Sequence, residues 1–119
     1  MGKVQHFEVP ADEPDRARDF YAAVFGWTYD DWGDGNFLIH PAGEKDEPGV
    51  IGGDISPRVE NHGPTVVVSV DSIEDTLASI ESAGGERLGE IHALGDSGRY
   101  TYFRDSEGNR IGLFESSKP

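Results

Sequence analysis

His6 and Glu8 stand two residues apart in the segment VQHFEVP, a spacing that puts an imidazole and a carboxylate on one face of a β-strand. Such a pair can serve as a metal ligand with a carboxylate beside it, or as a base that the carboxylate orients. Asp54 lies two residues after Gly52 and, on a strand, points to the same face as that glycine. Other candidates are weaker. His40 ends a strand before Pro41 and reads as structural, and His62 and His92 sit in polar segments without ligand-like spacing. The chain has no P-loop, no nucleotide-binding glycine motif and no Ser-His-Asp pattern. Cysteine is absent, which excludes a thiol nucleophile, a Cys-ligated zinc and a disulfide frame.

An internal repeat indicates which strands position these residues. HFEVPADEPDRARDFYAAVFG (6–26) matches TVVVSVDSIEDTLASIESAGG (65–85), with Asp12 against Asp71 and Gly26 against Gly85, an offset of 59 (71 minus 12). Val50-Ile51-Gly52 lines up with Arg110-Ile111-Gly112 at an offset of 60 (112 minus 52). In this alignment His6, Gly52, Thr65 and Gly112 are equivalent positions on strands that would line a cleft between two half-domains.

The elements follow from patterning. Val4–Val9 reads as a strand, and Asp12 as the N-cap of a helix with Pro14 and Asp15 in its first turn. Ala17, Phe20, Tyr21 and Val24 form one apolar stripe, and Gly26 stops the helix. Trp27–Trp32 and Phe37–His40 read as a hairpin turned by Gly33-Asp34-Gly35-Asn36, with packing the role of both tryptophans. Pro41–Pro48 reads as a loop, Val50–Ile55 as a strand and Ser56–Pro64 as a linker. Thr65–Val70 is a strand with Val66, Val68 and Val70 toward the helices and Thr65, Val67 and Ser69 on the other face. A second helix from about Ser72 to Ala83 carries the stripe Ile73, Leu77 and Ile80. Arg87–Leu94 is a strand, and Arg99–Arg104 with Arg110–Phe114 make a hairpin across Asp105–Asn109. Tyr100 and Tyr102 share one face of that hairpin and Thr101 and Phe103 the other; the pattern leaves open which pair faces the cleft. The reading is an α+β fold of two βαβββ modules in one domain over 1–119. Module one spans about 1–57 and module two about 64–117, building a curled, mixed eight-stranded sheet with a cleft. The ferredoxin-like βαββαβ fold uses fewer strands.

With HFEVPADEPDRARDFYAAVFGW in the first half, and VVVSVDSIEDTLASIESAGGE followed by YTYFRDSEGNRIGLFE in the second, the chain resembles the vicinal oxygen chelate superfamily. That superfamily includes glyoxalase I, bleomycin- and fosfomycin-resistance proteins and extradiol dioxygenases. The nearest likeness is to small two-module members of unassigned function. Ser106 stands where the family's closing D-P-x-G-N hairpin has proline. The resemblance implies metal ligands on the first and last strand of each module, typically His or Gln and then Glu. Carried over by position these are His6, Gly52, Thr65 and Gly112, of which only His6 can bind a divalent metal through nitrogen. A catalytic centre needs about three protein ligands and an open position, so the resemblance implies the fold without the metal. Asp54 could replace the missing carboxylate one step along its strand; Glu115 could do so only from the opposite face.

The expected function is therefore a small-molecule-binding member with a degenerate metal site. Its ligand-binding cleft is lined by His6, Glu8, Gly52, Asp54, Thr65, Ser69 and Gly112, and no catalytic residue is assigned. No cofactor is expected. The alternatives are a divalent-metal lyase, isomerase or dioxygenase built around His6, and a dimeric interaction module without a small ligand. Charge constrains partners further. There are 23 Asp+Glu against 10 Lys+Arg, a net charge of −13, and no basic stripe exists to neutralise phosphates, so nucleic acid is not a partner. Scattered acids of this density indicate a folded acidic surface that salt screening would stabilise, as in a halophile. No membrane span or signal-peptide core is visible, so a cytoplasmic location is expected. Open sheet edges call for protection, so a homodimer is expected.

Overall fold

The computed structural model describes residues 2–41 and 49–118; apart from Pro41, the segment read as a loop lies outside the described residues. The elements run β1 (Lys3–Ala11), α1 (Pro14–Phe25), β2 (Thr28–Gly33), β3 (Asn36–His40), β4 (Gly52–Pro57), β5 (Thr65–Ser69), α2 (Ile73–Ser82), β6 (Glu86–Leu94), β7 (Gly98–Arg104) and β8 (Arg110–Ser116). This is an α+β fold that runs twice through βαβββ. The chain divides into a first unit, His6–Pro64, and a second unit from Thr65 onward that also takes the residues before His6.

In the first unit the strand order is β2-β3-β4-β1, with β1 parallel to β4 and the other pairs antiparallel. Phe7, Val9 and Ala11 alternate toward α1 and pack with Phe37, Ile39 and Ile55, the period-two burial that fixes a strand's register. Gly53 is required there: a Cβ would sit 2.6 Å from the Phe7 carbonyl oxygen. The N-cap of α1 is Glu13, in extended conformation and without a side-chain cap, and not Asp12. Pro14 opens the helix and disfavours helical geometry at the residue before it. Asp12 instead accepts a 2.9 Å hydrogen bond from Arg58 Nε. The expected apolar stripe divides. Ala17 and Tyr21 meet the core, whereas Phe20 and Val24 are more than half exposed and α1 has no buried residue. Gly26, at φ 71°, ends the helix in the left-handed region and donates its N–H to the Ala22 carbonyl.

In the second unit the order is β5-β8-β7-β6, with β5 parallel to β8 and the rest antiparallel. Ser72 caps α2, its Oγ accepting from the Asp75 N–H at 3.1 Å. Ile73, Leu77 and Leu113 form the core, joined by Val68, Val70, Ile80, Ile91 and Phe103. Phe103 thus faces the helix, and Thr101 is buried with its hydroxyl donating to the Glu90 carbonyl, which leaves Tyr100 and Tyr102 on the helix-free face. Asp105 closes the last hairpin by accepting from the Asn109 N–H at 2.9 Å, the Asn109 side-chain amide at 3.0 Å and the Glu107 N–H at 2.9 Å, and these bonds lower its pKa.

The strand registers refine the repeat. Val9 faces Ile55 and Val68 faces Leu113. The opening strands keep the offset of 59 (68 minus 9), and the closing strands repeat at 58 (113 minus 55) rather than 60. The core-facing pair Ile55 and Leu113 sets the register, overriding the likeness of the two Ile-Gly dipeptides. Asp54, not Gly52, is thus the counterpart of Gly112, and Gly52 is the counterpart of Arg110.

Candidate functional site

On the helix-free face of the first unit's sheet, β1 supplies His6 and Glu8 and β4 supplies Gly52 and Asp54, paired His6 with Gly52 and Glu8 with Asp54. The imidazole crosses diagonally: His6 Nε2 lies 2.8 Å from Asp54 Oδ2. Gly52 leaves the space beside the ring open, since a Cβ there would meet only the Ile39 carbonyl oxygen, at 3.5 Å. The side chains of His6 and Asp54 are 27% and 24% exposed. Asp54 Oδ1 is buried without a hydrogen-bond partner. A buried carboxylate oxygen left unpaired carries a desolvation cost, which a donor reaching Oδ1 would relieve. The arrangement is an imidazole held in one orientation by one carboxylate oxygen, with the second oxygen ready to accept.

The second unit's candidates are placed differently. Thr65 is 1% exposed and its Oγ1 has no partner. Ser69 is half-buried opposite Phe114. Gly112 is buried between Val67 on β5 and Tyr102 on β7, and a Cβ on it would lie 3.0 Å from Val67 Cγ2 and 3.3 Å from Tyr102 Cε1. Glu115 faces the helix, where Oε1 accepts from the Ile73 N–H at 2.9 Å and Arg99 binds the carboxylate. Its work there is structural. His62 Nδ1 bonds the Gly63 carbonyl and His92 packs on Tyr100.

Two features have no clear signal in the residue pattern. His40 Nε2 lies 2.9 Å from Asp30 Oδ2, a second His–carboxylate pair on the first unit's sheet; only the hairpin register, with Thr28 facing His40, reveals it. The other is the guanidinium of Arg110, stacked 3.7 Å from the centroid of the Tyr102 ring.

The donor set bears on a metal. Among the described residues no three His, Cys, Asp or Glu side chains converge on one point. The pairs that do meet on the first unit, His6 with Asp54 and His40 with Asp30, each already bond each other. About three protein ligands are usual for a catalytic ion, so these residues do not by themselves fit one.

Comparison with known proteins places the fold. Residues 3–113 match the Glyoxalase/Bleomycin resistance protein/Dioxygenase superfamily. The chain belongs to this superfamily. A glyoxylase-like domain-containing protein of Didymella fabae is 28% identical over 114 residues, covering 91% of this chain and 89% of its own. Among solved structures, methylmalonyl-CoA epimerase from Mycobacterium tuberculosis superposes with a TM-score of 0.67 at 15% identity, covering 95% of this chain and 87% of its own. The Mn(II)-bound glyoxalase from Novosphingobium aromaticivorans gives a TM-score of 0.61 at 20% identity over 97% of this chain. The chain spans 40% of that glyoxalase's length. At such identities the structural likeness establishes the fold alone. Within the superfamily the chain is α+β with two βαβββ runs, and among the described residues no helix is long and apolar enough to cross a membrane.

Proposed function

We propose that this superfamily member binds a small organic molecule, anchored by the His6–Asp54 pair, and that its metal site is degenerate. The unpartnered, buried Oδ1 of Asp54 carries this reading. It fits a ligand hydroxyl or N–H, while the imidazole that Oδ2 orients can exchange a hydrogen bond or a proton with a neighbouring ligand atom. Glu8, opposite Asp54 on the same face, adds negative charge beside the site. On the second unit, taken by itself, Thr65, Ser69 and Gly112 are proposed as ligand-contacting residues of that unit's own helix-free face. The test is a thermal-shift screen of small hydroxy- and keto-acids, alcohols and amides, repeated on Asp54→Asn and His6→Ala. At least one compound should stabilise the native protein and bind about tenfold more weakly to Asp54→Asn, a loss of about 1.4 kcal/mol. Hits that both variants bind unchanged would sink the reading.

The metal-enzyme alternative makes the opposite forecast. With two mutually bonded donors, dialysed protein should hold well under one equivalent of transition metal, and added Zn²⁺ should stabilise it little. A full equivalent of metal, lost on His6→Ala, would favour the metal enzyme instead. We also propose a cytoplasmic, salt-rich setting and a homodimer. The net charge of −13 supports the first, and the exposed Phe20, Val24 and Phe25 of α1 support a covered face. A melting temperature flat from about 0.1 to 2 M KCl would remove the salt reading, and a monomer mass by light scattering would remove the dimer.

A further inference from the structure

Resting on the His6–Asp54 reading, we propose that the ligand of the first unit is an elongated molecule with a hydroxyl at each end and an apolar middle, held at its far end by His40 and Asp30. Burial of Phe37 and Ile39 against the helix turns Leu38 and His40 to the helix-free face. The ladder then sets out two rows on that face. Asp30, Leu38, Asp54 and Glu8 stand side by side across β2, β3, β4 and β1. In the neighbouring row His6 faces Gly52, and the antiparallel step after Ile39 and Gly53 brings His40 to the other side of that glycine. Each imidazole reaches a carboxylate in the first row on the same diagonal, His6 to Asp54 at 2.8 Å and His40 to Asp30 at 2.9 Å. These bonds use Nε2, and an imidazole has a second ring nitrogen with which to bond a ligand. Between the two pairs lie only Gly52 and the half-buried Leu38. A Cβ on Gly52 would meet nothing but the Ile39 carbonyl oxygen, at 3.5 Å, so the gap is open as well as apolar. Adjacent strands lie about 4.8 Å apart, which sets the two anchors about 10 Å from each other. A hydroxyl both donates and accepts, so it can give its proton to a carboxylate oxygen while accepting from an imidazole N–H. One exposed His–carboxylate pair stabilises a fold little; its repetition across an apolar gap is what points to a two-ended ligand.

The test is titration of 4,4′-dihydroxybiphenyl, a rigid molecule whose hydroxyls lie about two strand spacings apart, into the ¹⁵N-labelled protein, with 4-hydroxybiphenyl as the one-ended comparator. The two-ended compound should bind saturably, shift the amides of Leu38 and Gly52, and bind about tenfold more tightly than the comparator, the gain expected of one further hydrogen-bonded end. His40→Ala and Asp30→Asn should each reduce its affinity to that of the comparator, whereas Asp54→Asn should weaken both compounds. Gly52→Val, which raises a side chain between the anchors, should exclude both, and His62→Ala, away from the two rows, should bind as the native chain does. Each variant is compared only where its amide spectrum keeps native dispersion. Absence of saturable shifts with the two-ended compound, equal binding of the two compounds, or an advantage that survives both His40→Ala and Asp30→Asn would overturn the second anchor; the His6–Asp54 reading would still stand if Asp54→Asn weakened the comparator. Binding that answers to His40→Ala but not to Asp54→Asn would instead overturn the reading on which the second anchor rests.

Discussion

The same four positions carry opposite chemistry in the two units. In the first, the helix-free face presents His6 and Glu8 on β1 and Gly52 and Asp54 on β4. In register, the second unit presents Thr65, Val67, Arg110 and Gly112. One unit holds an imidazole and two carboxylates; the other holds a threonine, a valine, a glycine and an arginine stacked on a tyrosine. The helix-facing residues diverge far less: Val9 corresponds to Val68 and Ile55 to Leu113, apolar on both sides. Packing tolerates only apolar exchanges of similar volume at such positions, whereas the free face carries no such restriction. A duplicated scaffold can therefore keep its fold while its two faces take up different ligand chemistry.

The core half of this picture offers the largest effect. Ile55 and Leu113 are 0% and 1% exposed. If they are equivalent, Ile55→Ala and Leu113→Ala should each cost about 2–5 kcal/mol, read as a fall in the urea midpoint. A cost below about 1 kcal/mol at one site and a full cost at the other would break the equivalence and with it the register that aligns Asp54 with Gly112. The helix starts offer a smaller contrast. Ser72 caps α2 by side chain, whereas Glu13 provides no side-chain cap to α1. Ser72→Ala should cost about 1 kcal/mol, within the usual range for a lost cap, and Glu13→Ala only a few tenths. Equal losses in chemical denaturation would show that α1 draws on Glu13 in a way its geometry does not suggest.

How much of this was legible in sequence differs by layer. The βαβββ order could be read because Asp12/Asp71 and Gly26/Gly85 punctuate two helices at one offset, and Gly33-Asp34-Gly35-Asn36 marks a hairpin. The face of β5 was also legible, since alternation sets it: Val68 and Val70 pack in the α2 core as period two requires, although Val66, read to the same face, is exposed. The closing-strand register was not. An Ile-Gly match points to an offset of 60, and only the burial of Ile55 and Leu113 discloses 58. That shift of two is why Gly52 reads as the lost ligand position while Asp54 is the residue on His6. The Tyr100/Tyr102 orientation also needed the structure, because tyrosine, threonine and phenylalanine all suit either side of a half-buried strand. Arg110 on Tyr102 is a diagonal contact across β7 and β8, which the hairpin reading alone does not single out.

The smallest expected effect concerns how each helix is tied down. Arg99 on β7 bridges to Glu74 in the first turn of α2, with nitrogen–oxygen distances of 2.8 Å to both carboxylate oxygens, and also holds Glu115. The ion pairs of α1, Arg16 with Glu13 and Arg18 with Asp15, stay within the helix and its cap. The hydrogen bonds from Arg99 lower the Glu74 pKa to about 2. A carboxyl whose folded pKa lies below its unfolded value adds stability above the ordinary carboxylate range and loses it as pH falls through the folded value. The difference in melting temperature between native protein and Glu74→Gln should therefore be full near pH 7. It should shrink below about pH 4.5 and vanish only below about pH 2. The pair is solvent-exposed, so the difference should be modest at low salt and smaller again in 2 M KCl. Glu13→Gln, which touches only the local pair at the start of α1, should give a weaker response over the same range. If Glu74→Gln showed no pH-dependent difference, or Glu13→Gln a larger one, the sheet-to-helix bridge would not distinguish the second unit from the first.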